Sequence, residues 1–300
     1  MIALFDGSNM LHRCFHVAKN SPLTNSKGED TACIFKFLRS LKATVTQFSP
    51  TTIYAAWDTK VGYGQHADNY RVTLTEGTYK AGRNIESHQD VYANEEKLLP
   101  VLSLLGIHNF FPKSLEADDI ISWLISKFKG EHLCTIISCD RDFLQLVQPN
   151  VQVYNPVKTQ LYTISNFEKL IGIRPSEYLR YKAIIGDNAD NLRHKSLNGL
   201  GPKSALRIIH GEKTLSIEQK QAVKDLMHLM DLKQGLLEHP DDVAFYEEQL
   251  NLKVEPDFDA FVRFCEDNGF KSILSSIDSW KGAFSKNRLI DLIASLGKGK

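Results

Sequence analysis

The sequence has little that would indicate a membrane protein, a disulfide framework or a diffuse positive surface. Its 300 residues contain 36 Lys and Arg and 36 Asp and Glu, so the formal net charge is zero. Any site for a polyanion must therefore depend on a local cluster of positive charge. Its five cysteines form no C-x-x-C pair, which argues against zinc and disulfide frameworks and favours a reducing compartment. No apolar run approaches the ~20 residues of a membrane span, and the first residues lack a basic n-region. We therefore predict a globular protein of the cytoplasm, not exported and without membrane partners.

The sequence does contain apolar, β-prone stretches that stop at an acidic residue. Three of them run from Ile2 to Asp6, from Ile53 to Asp58 and from Thr135 to Asp140. Buried parallel strands have this composition, and the carboxyl ends of such strands line the functional crevice of open α/β sheets. We therefore predict an α/β fold with a mostly parallel central sheet flanked by helices, and we expect these carboxylates to converge.

A further acidic stretch, Glu116-Ala117-Asp118-Asp119, precedes an apolar run with helical spacing. Ser114 is the predicted N-cap of this helix. Acidic residues in a first turn favour the helix dipole and often have no other role. The other interpretation is that these acidic residues share a cation site. We favour it because three predicted strands also end at an Asp.

More acidic residues follow at turns. Asp142 comes two residues after Asp140, and Asp187 and Asp190 lie in a turn at the end of a predicted helix. Carboxylates ~4 Å apart repel by about 4 kcal/mol per pair at an effective dielectric near 20. Mg²⁺ or Mn²⁺ would relieve this repulsion, since hard cations prefer oxygen ligands.

Basic residues occur in two stretches that suit phosphate contacts. Between Lys60 and Glu96, where helical periodicity is lost, lie Arg71 and the run Tyr79-Lys80-Ala81-Gly82-Arg83; a solvated loop is the alternative. The second stretch, from Asn198 to Ala205, is a glycine-rich turn that opens a helix with Pro202 first. Its free backbone amides and Lys203 can bind phosphate, although a plain helical hairpin is equally compatible.

Further local signals predict individual elements. We expect helices from Thr31 to Phe48 and from Glu96 to Leu105, and a hairpin that pairs residues 151–154 with 160–163. Ser165 and Glu168 have the spacing of a capping box. The predicted organisation is an α/β domain over residues 1–185, with a mobile segment at 60–96, and a helical region over residues 186–300.

Taken together, these motifs resemble those of the 5′-nuclease family. They are Glu116-Ala117-Asp118-Asp119, Ser138 to Phe143, Gly186 to Asn191 and Gly199-Leu200-Gly201. The family includes flap endonucleases, the 5′-nuclease domain of bacterial DNA polymerase I and phage enzymes that remove RNA primers. A chain of this size is most similar to the phage ribonuclease H or flap endonuclease type, which would place it in the cytoplasm of a bacterial host.

The resemblance implies a set of site residues and two Mg²⁺ ions, which Mn²⁺ can replace. One ion would be held by Asp6, Asp58, Glu116 and Asp118. The second would be held by Asp119, Asp140, Asp142 and Asp190, with Asp187 in its outer shell. Catalysis would involve Lys80 and Arg83 together with Asp6, Asp118 and Asp140.

The resemblance also implies a surface for nucleic acid. Tyr79 would be a stacking aromatic and Arg71, Lys80 and Arg83 would contact phosphate. The glycine turn would form a helix-three-turn-helix for duplex DNA, with a potassium ion. Its implied contacts are Gly199, Gly201, Lys203 and Ser204. The segment 192–197, which precedes this turn, is longer than in the family and lacks the family's Pro-Gly. Its Arg193 and Lys195 are additional implied phosphate contacts.

The function predicted from these features is structure-specific, metal-dependent 5′–3′ cleavage of flaps, nicked duplex or RNA primers during DNA replication. The expected partners are branched, nicked or RNA-primed duplex and replication proteins such as a single-strand binding protein, with the chain itself a monomer. Two alternatives stay open: a related single-strand or RNA metallonuclease, and a nucleic-acid-binding module with an inactive metal site.

Overall fold

The computed structural model describes residues 1–58, 69–81 and 89–285, and its centre is one six-stranded sheet. The strands lie in the order β3-β2-β1-β4-β5-β6; the first five are parallel and β6 is antiparallel. The predicted mostly parallel sheet is confirmed. The strands are β1 (Ile2–Asp6), β2 (Thr52–Ala56), β3 (His108–Phe110), β4 (Cys134–Ile137), β5 (Val151–Asn155) and β6 (Gln160–Tyr162).

Helices cover both faces of this sheet. Those before β4 are α1 (Gly7–Ala18), α2 (Ala32–Phe48), α3 (Tyr70–Leu74), α4 (Gln89–Leu104) and α5 (Ala117–Phe128). Those of the middle region are α6 (Phe167–Ile171), α7 (Tyr178–Ile185), α8 (Pro202–Ile209), α9 (Ile217–Met230) and α10 (Gln234–Glu238). The last are α11 (Pro240–Leu250), α12 (Phe258–Asp267), α13 (Lys271–Leu274) and α14 (Ile277–Phe284). Short 3₁₀ turns occupy Asp142–Leu146, Pro175–Glu177 and Lys195–Leu197.

The alternation of side chains along β1 produces two cores. Ile2 and Leu4 face one core, which contains α5 and α9, and Ala3 and Phe5 face the other, which contains α2 and Phe261 of α12. Each core therefore includes residues from both sides of position 185. The division at 185 stays a prediction.

Several local expectations are confirmed and others need correction. Helix α2 and the β5–β6 hairpin lie where they were predicted. Helix α4 begins at Gln89 instead of Glu96, because Val91 and Leu98 are buried with helical spacing. The predicted capping box at Ser165 and Glu168 is wrong, since α6 has Asn166 at its N-cap and no side-chain cap bond.

The described part of the chain contains no helix that is both long enough and apolar enough to span a bilayer.

Candidate functional site

The carboxyl ends of the central strands bring the first acidic side chains together. Asp6 ends β1 and caps α1: its Oδ1 accepts a hydrogen bond from Asn9 N at 3.1 Å, and its Oδ2 accepts one from Ser138 Oγ at 2.7 Å. Asp58, two residues after β2, accepts a bond from Ala117 N at 2.9 Å. A strand end is thereby joined directly to the first turn of α5.

The start of α5 differs from the prediction. Its N-cap is Glu116, not Ser114, and Glu116 and Asp119 form a capping box. Ser114 instead donates its backbone N–H to Asp242. Asp242 also accepts bonds from the amides of Lys113 and Leu115, so the helical region fixes the loop that delivers the acidic turn.

The acidic residues meet in one cavity of about 520 Å³. All the predicted metal ligands except Asp119 line it: Asp6, Asp58, Glu116, Asp118, Asp140, Asp142, Asp187 and Asp190. Lys80 and His12 line the same cavity. Residues from six parts of the chain that are distant in sequence therefore form one polar chamber.

The Asp140 region is held by short-range bonds. The amide of Asp140 donates to Ser138 Oγ at 2.9 Å, and the amide of Asp142 donates to Asp140 Oδ1 at 2.8 Å. Because Ser138 also donates to Asp6, one hydroxyl orients two of the acidic residues.

The cavity raises the pKa values of two of its carboxyl groups. Burial, followed by repulsion from Asp140 and Asp58, raises the pKa of Asp6 to about 7. Burial and the neighbouring Asp119 and Glu116 raise the pKa of Asp118 well above its usual value. These are the conditions under which a divalent cation can replace protons.

An orphaned oxygen indicates where such a cation would fit. Asp118 Oδ1 is buried and has no hydrogen-bond partner in the described structure. Ligand oxygens of Glu116, Asp118 and Asp119 lie within 4.8 Å of one another. An all-oxygen set with one unsatisfied acceptor fits Mg²⁺ or Mn²⁺ and does not resemble a zinc site.

Glu116 accepts side-chain hydrogen bonds at both of its carboxylate oxygens. Its Oε1 accepts a bond from Lys80 Nζ, and its Oε2 accepts one from Tyr79 Oη at 2.7 Å. Burial alone would raise the pKa of Glu116, but Lys80, Arg71 and these bonds together lower it to about 2. Glu116 is therefore ionised at neutral pH.

The structure corrects the expectation for Tyr79. Its side chain is buried and its hydroxyl is bonded to Glu116, so it has no free ring face for base stacking. Lys80 has φ +55°, a conformation that costs a non-glycine residue ~1 kcal/mol. Its amide donates to Asp190 O at 3.2 Å, which anchors it to the opposite wall.

Arg71 and Asp119 also differ from expectation. Arg71 is only 2% exposed. Its Nη1 and Nη2 donate hydrogen bonds of 2.7 Å to Oδ2 and Oδ1 of Asp119. The predicted phosphate contact by Arg71 is therefore corrected, because its guanidinium does not reach the surface. Both Asp119 oxygens are occupied by Arg71, and one also accepts the Glu116 amide. Asp119 does not line the cavity, and its assignment as a metal ligand stays a prediction.

Lys182 is a site residue that the sequence reasoning missed. Its Nζ lies 2.5 Å from Asp142 Oδ1 and 2.9 Å from Asp187 Oδ2. Burial would lower the pKa of Lys182, but the two carboxylates outweigh this effect and raise it. A lysine one helical turn before Gly186-Asp187 was the available signal.

The glycine turn has the predicted form. Gly199 has φ +82°, and Gly201 is the N-cap of α8 with Pro202 in the first turn. Lys203 is exposed and Ser204 is half-buried. Arg193 and Lys195, in the preceding segment, are also exposed. A backbone bridge between Asp187 and Leu192 connects this basic segment to the acidic cavity. The Arg83 prediction lies outside the described residues.

Comparison with known proteins gives relatives of consistent type. The chain is 29% identical over 287 residues to a 5′-3′ exonuclease of Aquifex aeolicus, covering 92% of this chain and 94% of the relative. It is also 29% identical over 290 residues to the thermostable DNA polymerase I of Thermus aquaticus. That match covers 91% of this chain but only 32% of the polymerase.

Solved structures share the fold. The bacteriophage T5 D15 protein, co-crystallised with metal ions, has a TM-score of 0.58 and 18% identity, covering 83% of this chain and 98% of that one. Flap endonuclease-1 from Methanococcus jannaschii has a TM-score of 0.55 and 15% identity, covering 94% and 92%. Residues 1–172 match the model of the 5′-3′ exonuclease N-terminal, resolvase-like domain. Because that match covers more than half of the chain, the protein belongs to the 5′-3′ exonuclease family.

Proposed function

We propose that this protein is a structure-specific, divalent-metal-dependent 5′–3′ nuclease that hydrolyses phosphodiesters in 5′ flaps, nicked duplex or RNA primers during DNA replication. The observation that carries the proposal is the cavity in which clustered carboxylates, one with an unpartnered buried oxygen, lie beside Lys80. The named activity of the Aquifex relative supports it, as do the flap endonuclease names of structural neighbours.

The carboxylates would hold two Mg²⁺ ions. Asp6, Asp58, Glu116 and Asp118 suit one ion, and Asp140, Asp142 and Asp190 suit a second, with Asp187 in its outer shell. When bound, two such ions activate water on one side of a phosphodiester and stabilise the leaving oxygen on the other. The products would carry a 5′-phosphate and a 3′-hydroxyl. Mn²⁺ has the same ligand preference and should substitute.

The chain's own residues have separable tasks in this proposal. Ser138 and Asn9 hold the Asp6 carboxylate in one orientation. Lys80 brings positive charge to a cavity that otherwise repels phosphate, and it would offset charge that develops on the phosphate in the transition state. Arg83 would act with Lys80.

Exposed basic residues outside the cavity would bind the phosphates of the duplex. Lys203 stands in the first turn of α8, next to the free amides that follow Gly201. Arg193 and Lys195 extend this surface. Since the net charge is zero, binding should depend on these local contacts and should weaken as salt is added. A potassium ion at the glycine turn belongs to the same proposal.

We further propose that the protein acts as a monomer in the cytoplasm of a bacterial cell, with replication proteins such as a single-strand binding protein as partners. The DNA polymerase I relatives support a role in replication.

The deciding experiment is cleavage of a 5′-labelled duplex that carries a 5′ single-stranded flap, in Mg²⁺ and in EDTA. RNA-primed, nicked and blunt duplexes are compared in parallel, with K⁺ and Li⁺ buffers. Mg²⁺-dependent release of short 5′ products supports the proposal, and the ranking of substrates identifies the preferred structure. Binding of the flap without any cleavage would indicate a binding module instead. Preference for unpaired RNA would indicate a single-strand nuclease.

A further inference from the structure

The buried guanidinium of Arg71 joins three parts of the molecule. Its Nη1 and Nη2 each lie 2.7 Å from an oxygen of Asp119, on the buried side of α5. Its Nε donates to the carbonyl of Leu229, in α9, at 3.0 Å. Nη1 also approaches Glu116 Oε2 at 3.4 Å. Every guanidinium nitrogen therefore has a protein partner, and the side chain is 3% exposed.

A second series of bonds runs from the Arg71 backbone towards the cavity. Thr75 Oγ1 donates to the Arg71 carbonyl at 2.7 Å and accepts the amide of Tyr79 at 3.1 Å. Tyr79 and its neighbour Lys80 then bond the two oxygens of Glu116. Arg71 thus reaches Glu116 by two routes, one through α5 and one through its own segment.

The same arrangement extends to α10. A Cβ added at Gly235 would lie 2.8 Å from Asp119 Oδ1 and 3.0 Å from Leu115 Cδ2. Tyr70, next to Arg71, donates its amide to His239 Nε2 at 3.2 Å. The α9–α10 region therefore packs directly behind the Arg71–Asp119 pair.

We propose that Arg71 is a positioning residue for the nuclease reaction: through Asp119 and Glu116 it fixes Lys80 in the acidic cavity, and α9–α10 holds the pair in place. This inference rests on the proposed function. It assigns to Arg71 an effect on turnover, whereas a surface phosphate contact would affect affinity.

The chemistry of the pair favours this role over a simple contribution to stability. A buried ion pair is weak evidence for stability, because desolvation of two charges offsets their attraction. What the planar fork of arginine adds is orientation, since both of its bonds to a carboxylate must be made in one plane. Lysine at this position would keep the charge and lose that geometry.

The test compares Arg71→Lys, Asp119→Asn and Gly235→Ala, the last of which displaces the pair without replacing either member. Single-turnover cleavage of the 5′-flap duplex should slow by about 10- to 100-fold in each, the usual range for residues that orient a site from behind. The dissociation constant for the same duplex, measured in EDTA, should stay within about twofold of wild type, with an unchanged salt dependence. In a Lys80→Ala background, Arg71→Lys should cause no further loss, because both changes remove one function.

Two controls separate positioning from general effects. Phe261→Leu removes apolar volume in the opposite core and should lower the melting temperature as much as the test variants do while leaving cleavage close to wild type. Arg207→Lys changes an arginine that is 62% exposed in its side chain and should leave turnover unchanged. If Arg71→Lys weakens binding and reduces the salt slope, Arg71 contacts DNA and the inference is wrong.

The inference is also overturned if the loss of activity follows the melting temperature across all variants. It is likewise overturned if the fold-reductions in cleavage rate caused by Arg71→Lys and Lys80→Ala multiply in the double variant. Absence of cleavage by the wild-type protein would refute the proposed function itself, which is a different result from any of these.

Discussion

Asp6 should make the metal-free protein lose stability as the pH rises. Burial, with smaller contributions from Asp140 and Asp58, raises the pKa of Asp6 from 3.8 to about 7 in the folded state. Since the folded pKa lies above the unfolded one, the stabilisation by the protonated form is fully present below pH 3.8 and disappears as the pH rises through 7. A difference of three pKa units corresponds to about 4 kcal/mol.

The measurement is the melting temperature of EDTA-treated protein between pH 5 and pH 8, for wild type and Asp6→Asn. Asparagine keeps an acceptor for the Asn9 amide and carries no charge to be desolvated. For a chain of this size the melting temperature changes by ~2 °C per kcal/mol of unfolding free energy. At pH 8 the variant should therefore melt about 8 °C above wild type. The difference should shrink towards pH 5. Asp278→Asn, at an exposed position, is the matched control and should follow wild type.

Added Mg²⁺ should stabilise wild type more at pH 8 than at pH 5, because the ion and protons compete for the same carboxylates. The same addition should stabilise Asp6→Asn less. The reasoning would be refuted if the melting temperatures of wild type and Asp6→Asn differed by the same amount at every pH in this range. An Mg²⁺ stabilisation that does not change with pH would refute it as well.

Three further predictions test individual residues by cleavage and binding assays. Asp140→Asn should nearly abolish cleavage of the 5′-flap duplex while binding in EDTA persists; near-normal turnover would remove Asp140 from the ligand set. Lys80→Ala should lower the cleavage rate at saturating DNA far more than it lowers affinity, and a loss confined to affinity would limit Lys80 to binding. Lys203→Ala should weaken binding to all duplexes alike and reduce the salt slope by about one; a loss for one sequence only would contradict a phosphate contact.

The sheet and most of the acidic cavity were predictable because they follow from short patterns and one geometric rule. Apolar runs that end at Asp6, Asp58 and Asp140 indicate parallel strands, and parallel strands present their carboxyl ends at one edge. Once the strand order is set, these side chains converge whatever the loops between them do. The turn of Asp187 and Asp190 reaches the same edge through Lys182, which bridges Asp187 and Asp142 and was visible only in the structure.

The roles of Arg71 and Tyr79 were not predictable, because residue type alone does not distinguish a phosphate contact from a buried one. An arginine near an aromatic has the composition of a nucleic-acid surface. Its actual partners are Asp119, 48 residues away, and Leu229, 158 residues away. No local spacing encodes such pairings, which exist only after α5 and α9 have packed. The N-cap of α5 was misassigned for a related reason: Ser114 is bonded by Asp242, 128 residues further along the chain.

Two lysines explain how so many carboxylates can share one cavity before any metal binds. Lys80 bonds Glu116 on one wall, and Lys182 bridges Asp142 and Asp187 on another. Each lysine offsets repulsion of about 4 kcal/mol between neighbouring acidic groups at an effective dielectric near 20. Asp118 Oδ1 has no hydrogen-bond partner in the described structure, and burial together with Asp140 and Asp58 raises the pKa of Asp6 to about 7. An incoming divalent cation should therefore have its largest effect at Asp118 and Asp6, whereas Glu116, Asp142 and Asp187 are already oriented by their lysines.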